Sequence, residues 1–204
     1  MTIPRRIIRV VPERTTAQVE GFWAHICDLH PGWEHLTLRD PLDPAQFPAT
    51  AHVWAQAASG AQFAGLIRLE ALRAFGGVYL DSDMELFRPL DPLLELGAFA
   101  GIEDGRVVPD AVLGAEPGHP AIDACLQLAV ERIRSSSTDW VDGNGAWSTG
   151  PGVTTTVLPG RPDVTILPRE AFYPIGYWEK ELIAGFVPGP ATYGMHWWEA
   201  SWLR

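Results

Sequence analysis

The stretch from Ser59 to Asp83 constrains this chain more than any other. Phe63, Leu66, Ile67, Leu69, Leu72 and Phe75 recur at helical spacing, with Ser59 placed to cap the start and Gly76-Gly77 to stop the end. These apolar positions cover most of a helix circumference, so the helix is expected to be buried on several sides. Arg68 and Glu70 interrupt that surface. A buried charge costs several kcal/mol unless it is paired, so both need partners. Val78-Tyr79-Leu80 then reads as a short strand running into Asp81-Ser82-Asp83. Side chains alternate along an extended chain, which sends Tyr79, Asp81 and Asp83 to one side and Val78, Leu80 and Ser82 to the other. Two carboxylates on one face at the end of a buried strand repel each other, and a hard divalent cation removes the conflict. Oxygen ligands favour Mg²⁺ or Mn²⁺ over zinc. Ligands of open α/β sheets bind beyond the carboxyl ends of the strands, where this pair would sit. A cation there can bridge a diphosphate and stabilise charge growing on a leaving phosphate. An Asp-x-Asp triplet alone is common in surface turns. The buried helix, the Gly-Gly break and the aliphatic strand ahead of it set this one apart.

Strands and helices alternate through the rest of the chain. Ile7–Val11 is a β-branched strand, Thr16–Leu29 a helix, and Trp33–Leu38 a second strand. Strands are also expected at Phe99–Ile102, Ala111–Leu113 and Val164–Leu167, with a helix over Ala121–Ile133 behind Pro120. Ser135–Asn144 is polar and reads as a mobile loop. The class is therefore α/β. The 204 residues fit a single domain, 1–204. A net charge of -10 supplies no basic footprint, so nucleic acid is not an expected partner. Bound phosphates would need local neutralisation by a metal. Cys27 and Cys125 stand outside any metal-ligand spacing and suit a reducing compartment. No stretch approaches the roughly 20 apolar residues of a membrane span, and no signal peptide is visible, so a cytoplasmic setting is expected.

Several blocks resemble glycosyltransferase family 32, the DXD-motif sugar transferases. That family includes mannosyltransferases and capsular-polysaccharide enzymes, and the clostridial glucosylating toxins have a related catalytic core. The central block is Gly65-Leu66-Ile67-Arg68-Leu69-Glu70-Ala71-Leu72 followed by Gly76 to Asp83. Ile3–Ile8, His30–Trp33, Phe99–Glu103, Ala111–Ala115 with His119-Pro120, Thr149–Pro151, and His196-Trp197-Trp198 with Ser201-Trp202 extend the likeness over most of the chain. The resemblance implies a GT-A fold, with a mixed, mostly parallel central sheet flanked by helices. It implies a UDP- or GDP-sugar donor, Mn²⁺ or Mg²⁺, retention of anomeric configuration, and a glycan, lipid-linked sugar or small molecule as acceptor. By position, Asp83 would ligate the metal directly, and Asp81 would meet the ribose and, through water, the metal. Arg68 and Tyr79 would approach the donor, with Arg68, Asp81 and Asp83 forming the catalytic set. His196, Ser201 and Trp202 would close over the diphosphate, His196 serving as a further metal ligand. Asp110 takes a place where Asn is common, near the transferred sugar. Two positions depart from the family: Gly65 stands where an Asp grips sugar hydroxyls, and Pro12 stands near a Trp that stacks on the base.

Plainer readings compete. Arg68 and Glu70 can be a structural pair, Tyr79 a core residue, and His196 a packed residue among aromatics. Trp197, Trp198 and Trp202 offer either core or a sugar platform. His25, His30, His35, His52 and His119 show no ligand spacing. Two other functions also pair carboxylates near phosphates or keep the fold: a metal-dependent nucleotidyltransferase or phosphoesterase, and a non-catalytic sugar-nucleotide-binding scaffold, for which Gly65 is the motive.

Overall fold

Strand β1 (Arg6–Val11) is rich in Ile and Val, whose branched side chains suit a pleated surface covered on both faces. A computed structural model describes residues 2–135 and 145–199. Thr16 caps α1 (Ala17–Leu29), accepting from the Val19 amide. The chain returns as β2 (Glu34–Arg39), parallel to β1 with Val11 opposite Arg39. Helix α2 (Gly60–Phe75) is capped by Ser59 and buries every residue from Gly65 to Leu72. Gly76 ends it at φ +61°, and Gly77 follows at φ +116°, where a Cβ would lie 2.6 Å from the Arg6 carbonyl oxygen. That close approach lets β3 (Gly77–Leu80) pair parallel to β1.

After β4 (Met84–Leu86), β5 (Ala98–Gly101) and β6 (Val112–Ala115) enter the same main sheet as β3, in which β6 is antiparallel to both β3 and β5. Helix α3 (Pro120–Arg134) and the short α4 (Ala146–Thr149) and α5 (Pro151–Val157) follow. β7 (Thr165–Leu167) runs parallel to β5, and α6 (Arg169–Phe172) and β8 (Gly194–His196) end the described elements. The main sheet has the order β2-β1-β3-β6-β5-β7, while β4 and β8 form a separate antiparallel ribbon.

The main sheet is apolar on both faces, as expected of strands covered on both sides. Ile8, Tyr79 and Leu113 join α2 and α3 in one core, and Ile7, Val78, Leu80 and Val112 join Phe99, Phe172 and Tyr173 in the other. Arg68 and Glu70 do not pair with each other. Glu70 accepts from the Ala49 amide at 2.8 Å and the Thr50 hydroxyl at 2.6 Å, which fastens the loop before α2. The strand expected at Ala111 begins one residue later, and β4, β8, α4 and α5 were not foreseen. Most of the loop expected over Ser135–Asn144 lies outside the described residues. Among the described residues, no helix is long and apolar enough to cross a membrane.

Candidate active site

Strand β3 ends at Leu80, and the chain then turns. The Asp81 amide donates to the Ala111 carbonyl at 2.8 Å, and the Met84 amide donates back to the Asp81 carbonyl at 3.1 Å. The two carboxylates therefore share a side because of a turn, not because of the strand alternation expected from the sequence. Tyr79 donates its hydroxyl to Asp81 Oδ1 at 2.6 Å. Arg68, reaching from α2, places Nη1 3.1 Å from the same Oδ1 and 2.8 Å from Asp110 Oδ2. It also donates to the Asp110 carbonyl, and its guanidinium lies 4.6 Å from the Tyr79 ring centre. Burial opposes the Arg68 charge, but Asp110 and Asp81 overcome it and raise its pKa. Burial lifts Asp110 to about 6 against the pull of Arg68. Burial likewise pushes the Tyr79 phenol up, so it stays a donor.

The ribbon supplies the other half. Met84 of β4 stands opposite His196 of β8, which brings Asp83 to the histidine. His196 Nε2 lies 3.0 Å from Asp83 Oδ1 and 3.9 Å from Asp81 Oδ2. Asp83 Oδ2 accepts from the Glu199 amide at 2.9 Å. Burial disfavours the Asp83 charge, but His196 and the Glu199 amide hold its pKa at about 2. Burial pulls the His196 pKa down, and Asp83 more than offsets it, so the net shift is upward. The ring packs against Trp198 at 4.1 Å, and its buried Nδ1 finds no partner among the described residues. One ligand atom each from Asp81, Asp83 and His196 fall within 4.8 Å of one another. Two carboxylate oxygens and one imidazole nitrogen suit a divalent cation of the Mg²⁺–Mn²⁺ kind.

These groups open on a cavity of about 520 Å³. Arg68, Tyr79, Asp81, Asp83, Asp110 and His196, six of the residues predicted from sequence, all line it. Ser201 and Trp202 lie outside the described residues. Pro12 lines the cavity at the end of β1, and Trp198 lines it beside His196. Asp40, Trp147 and Tyr177 also line it and were missed, because each sits in or beside a segment with no periodic signal. Gly65 has a packing reason: a Cβ there would lie 2.6 Å from Thr149 Oγ1. That hydroxyl donates to the Gln62 carbonyl at 2.9 Å, so Thr149 of α4 takes the space a side chain at position 65 would need. His30 is structural, bridging the Ile26 carbonyl and the Leu90 amide. A larger depression of about 650 Å³ between α2 and α3 is crossed by the Arg73–Asp123 pair. Among the described residues it holds no cluster of metal ligands.

Residues 17–99, which include the Asp81–Asp83 turn, match the family described as "Glycosyltransferase sugar-binding region containing DXD motif". Over that stretch the chain is similar to the sugar-binding region of the DXD glycosyltransferases. Inositol phosphoceramide mannosyltransferase 3 of Schizosaccharomyces pombe is 32% identical over 98 residues, covering 46% of this chain and 27% of that protein. Lactosylceramide 4-alpha-galactosyltransferase of Mus musculus is 32% identical over 152 residues, covering 64% of this chain and 39% of that protein. The chain thus spans well under half the length of these relatives. Among solved structures, the PaToxG glycosyltransferase superposes with a TM-score of 0.64 at 16% identity, over 77% of this chain and 69% of that one. The galactosyltransferase LgtC superposes with a TM-score of 0.53 at 14% identity, over 97% and 91%. At such identities the likeness is one of fold, and the fold is GT-A.

Proposed function

We propose that this protein transfers a sugar, with retention of configuration, from a UDP- or GDP-sugar to a glycan, lipid-linked sugar or small-molecule acceptor. Asp81, Asp83 and His196 would hold Mn²⁺ or Mg²⁺. The observation that carries this reading is the convergence of those three ligand atoms within 4.8 Å on the wall of a cavity that Arg68, Tyr79 and Asp110 also line. A bound cation would supply positive charge to the leaving diphosphate. Asp83 stays anionic throughout the physiological range, because its pKa is held at about 2. Arg68 and Tyr79 fix Asp81 Oδ1, which leaves Oδ2 to face the cation site and the ribose. Asp110, tied to Arg68, stands near the transferred sugar. Ser201 and Trp202 join the diphosphate by family resemblance. The C1–O bond to the diphosphate breaks, a C1–O bond to the acceptor forms, and the acceptor proton passes to the leaving diphosphate oxygen. Positioning and charge stabilisation supply the rate. Two relatives carry ceramide lipids in their names, which supports the lipid-linked acceptor. The two free thiols support a reducing, cytoplasmic setting.

The test is a product assay with candidate donors and acceptors. Release of nucleoside diphosphate with glycosylated acceptor is expected, and both should vanish with EDTA or in Asp83→Ala. Pyrophosphate release would point instead to nucleotidyl transfer. One observation favours the scaffold reading: Thr149 packs where the family's sugar-gripping Asp belongs. Tight donor binding with no turnover on any acceptor would select it.

A further inference from the structure

Trp198 breaks a backbone rule beside the candidate cation site. Among the described residues it is the one non-glycine with a positive φ, +54°. A bulky residue holds this left-handed conformation only where its surroundings force it, and such strain gathers at functional sites. Here the turn has a visible result. The chain leaves β8 at His196, and the amides on both sides of Trp198 meet Asp83. Trp197 donates to the Asp83 carbonyl at 3.0 Å, and Glu199 donates to Asp83 Oδ2 at 2.9 Å. Asp83 Oδ1 is left facing His196 Nε2 at 3.0 Å. The carboxylate is thus fixed through one oxygen and presents the other.

The turn is held through the Trp198 side chain and through its backbone. The indole donates to the Ile175 carbonyl at 3.0 Å and packs on His196 at 4.1 Å. The Trp198 carbonyl accepts from the Lys180 ammonium at 2.8 Å. Lys180 lies in the helical segment Tyr177–Gly185, with its ammonium 4.1 Å from the Tyr177 ring centre. That segment is tied down in turn. The Tyr177 amide donates to Glu103 at 2.9 Å, and Glu179 is taken by Arg169 and by the Gly176 amide. Lys180 is the only lysine in the chain, and every other basic side chain carries a guanidinium fork. A compact ammonium on a flexible stem suits a single carbonyl better than that fork does.

The Trp198 carbonyl and the Glu199 amide are the two ends of one planar peptide unit. Lys180 pins the carbonyl end, and Asp83 Oδ2 takes the amide end. We infer that Lys180 is a positioning residue for the cation, acting through this peptide. The inference rests on the cation site proposed above. By fixing the plane, Lys180 keeps the amide aimed at Oδ2 and so keeps Oδ1 turned to the cation. A cation on the carbonyl also polarises the peptide, which makes its N–H a better donor to the carboxylate.

Titration of Mn²⁺ alone into the intact protein, followed by electron paramagnetic resonance, tests this with wild type, Lys180→Met and Lys180→Arg. The sign of the change decides. Removing a positive charge near a dication would by itself tighten binding. Loss of a positioning contact weakens it instead. In Lys180→Met, Mn²⁺ affinity is expected to fall about three- to tenfold, and amide exchange at Glu199 to quicken. Lys180→Arg keeps a cationic donor and is expected to recover part of the affinity. Unchanged or tighter Mn²⁺ binding in Lys180→Met would overturn the inference. Weaker binding with Glu199 exchange unchanged would also overturn it, because Lys180 would then not act through this peptide. Both outcomes leave the cation site standing. Absence of Mn²⁺ binding by the folded wild-type protein would remove the cation site itself, and the inference with it.

Discussion

Asp81 shows how single atoms are assigned at this site. Its Oδ1 accepts a hydrogen bond from Tyr79 at 2.6 Å and forms an ion pair with Arg68 at 3.1 Å, while Oδ2 faces His196. One oxygen is thus spent on holding the carboxylate, and the other is presented. Tyr79→Phe removes one of the two fixings and leaves the ring under the Arg68 guanidinium. A neutral donor to a carboxylate is worth about 1–2 kcal/mol, so Mn²⁺ affinity should drop about 5- to 30-fold with the fold intact. Titration of free Mn²⁺ by electron paramagnetic resonance measures this without any donor or turnover. Unchanged affinity would show that Arg68 alone holds Asp81. The sequence could nominate Tyr79, Asp81 and Asp83 because they are two residues apart. It could not pair Arg68 with Asp110, 42 residues on, or Asp83 with His196, 113 residues on. Those contacts depend on where α2 and β8 land, and no local pattern encodes that.

At the scale of elements, the helix-break-strand unit of α2 and β3 was legible because its signals are local and redundant: a cap, an apolar periodicity and a Gly-Gly stop. The three-residue strands β4 and β8 and the four-residue α4 are too short to show a period, so they escaped notice. Their importance is structural. Helix α4 presses Thr149 onto α2 at Gly65, where an added Cβ would lie 2.6 Å from Oγ1 and 2.9 Å from the Thr149 carbonyl. Gly65→Ala should therefore cost about 1–3 kcal/mol in urea denaturation, from overpacking against a neighbour that cannot retreat. Adding Thr149→Ala removes the hydroxyl but not the carbonyl, so it should recover only part of that loss. A double-mutant cycle reads the coupling between them. Strict additivity would mean that α4 does not rest on α2 as described. The same contact gives Gly65 its reason: this chain uses the position for packing.

Across the whole molecule, the candidate cation site joins two sheets. Asp81 leaves the main sheet at β3, while Asp83 leads into β4 and His196 belongs to β8 of the separate ribbon. Without a cation, the ribbon meets the site through the His196–Asp83 contact and the Glu199 and Trp197 amides on Asp83. A cation bound by all three side chains would add a direct link between sheet and ribbon, so its binding free energy should appear as stability. A ligand at a hundred times its Kd contributes about 2.7 kcal/mol. For a chain of this size that corresponds to a Tm rise of roughly 5–10 °C, lost on adding EDTA. The gain should be local as well as global. Amide exchange should slow most at Met84–Leu86 and Gly194–His196, the two strands of the ribbon. His196→Ala should abolish that local slowing, because the link would then run through the Asp81–Asp83 turn alone. A Tm rise with no change of exchange in the ribbon would mean that the cation binds elsewhere, and that the three ligand atoms gathered here serve only to hold β8 in place.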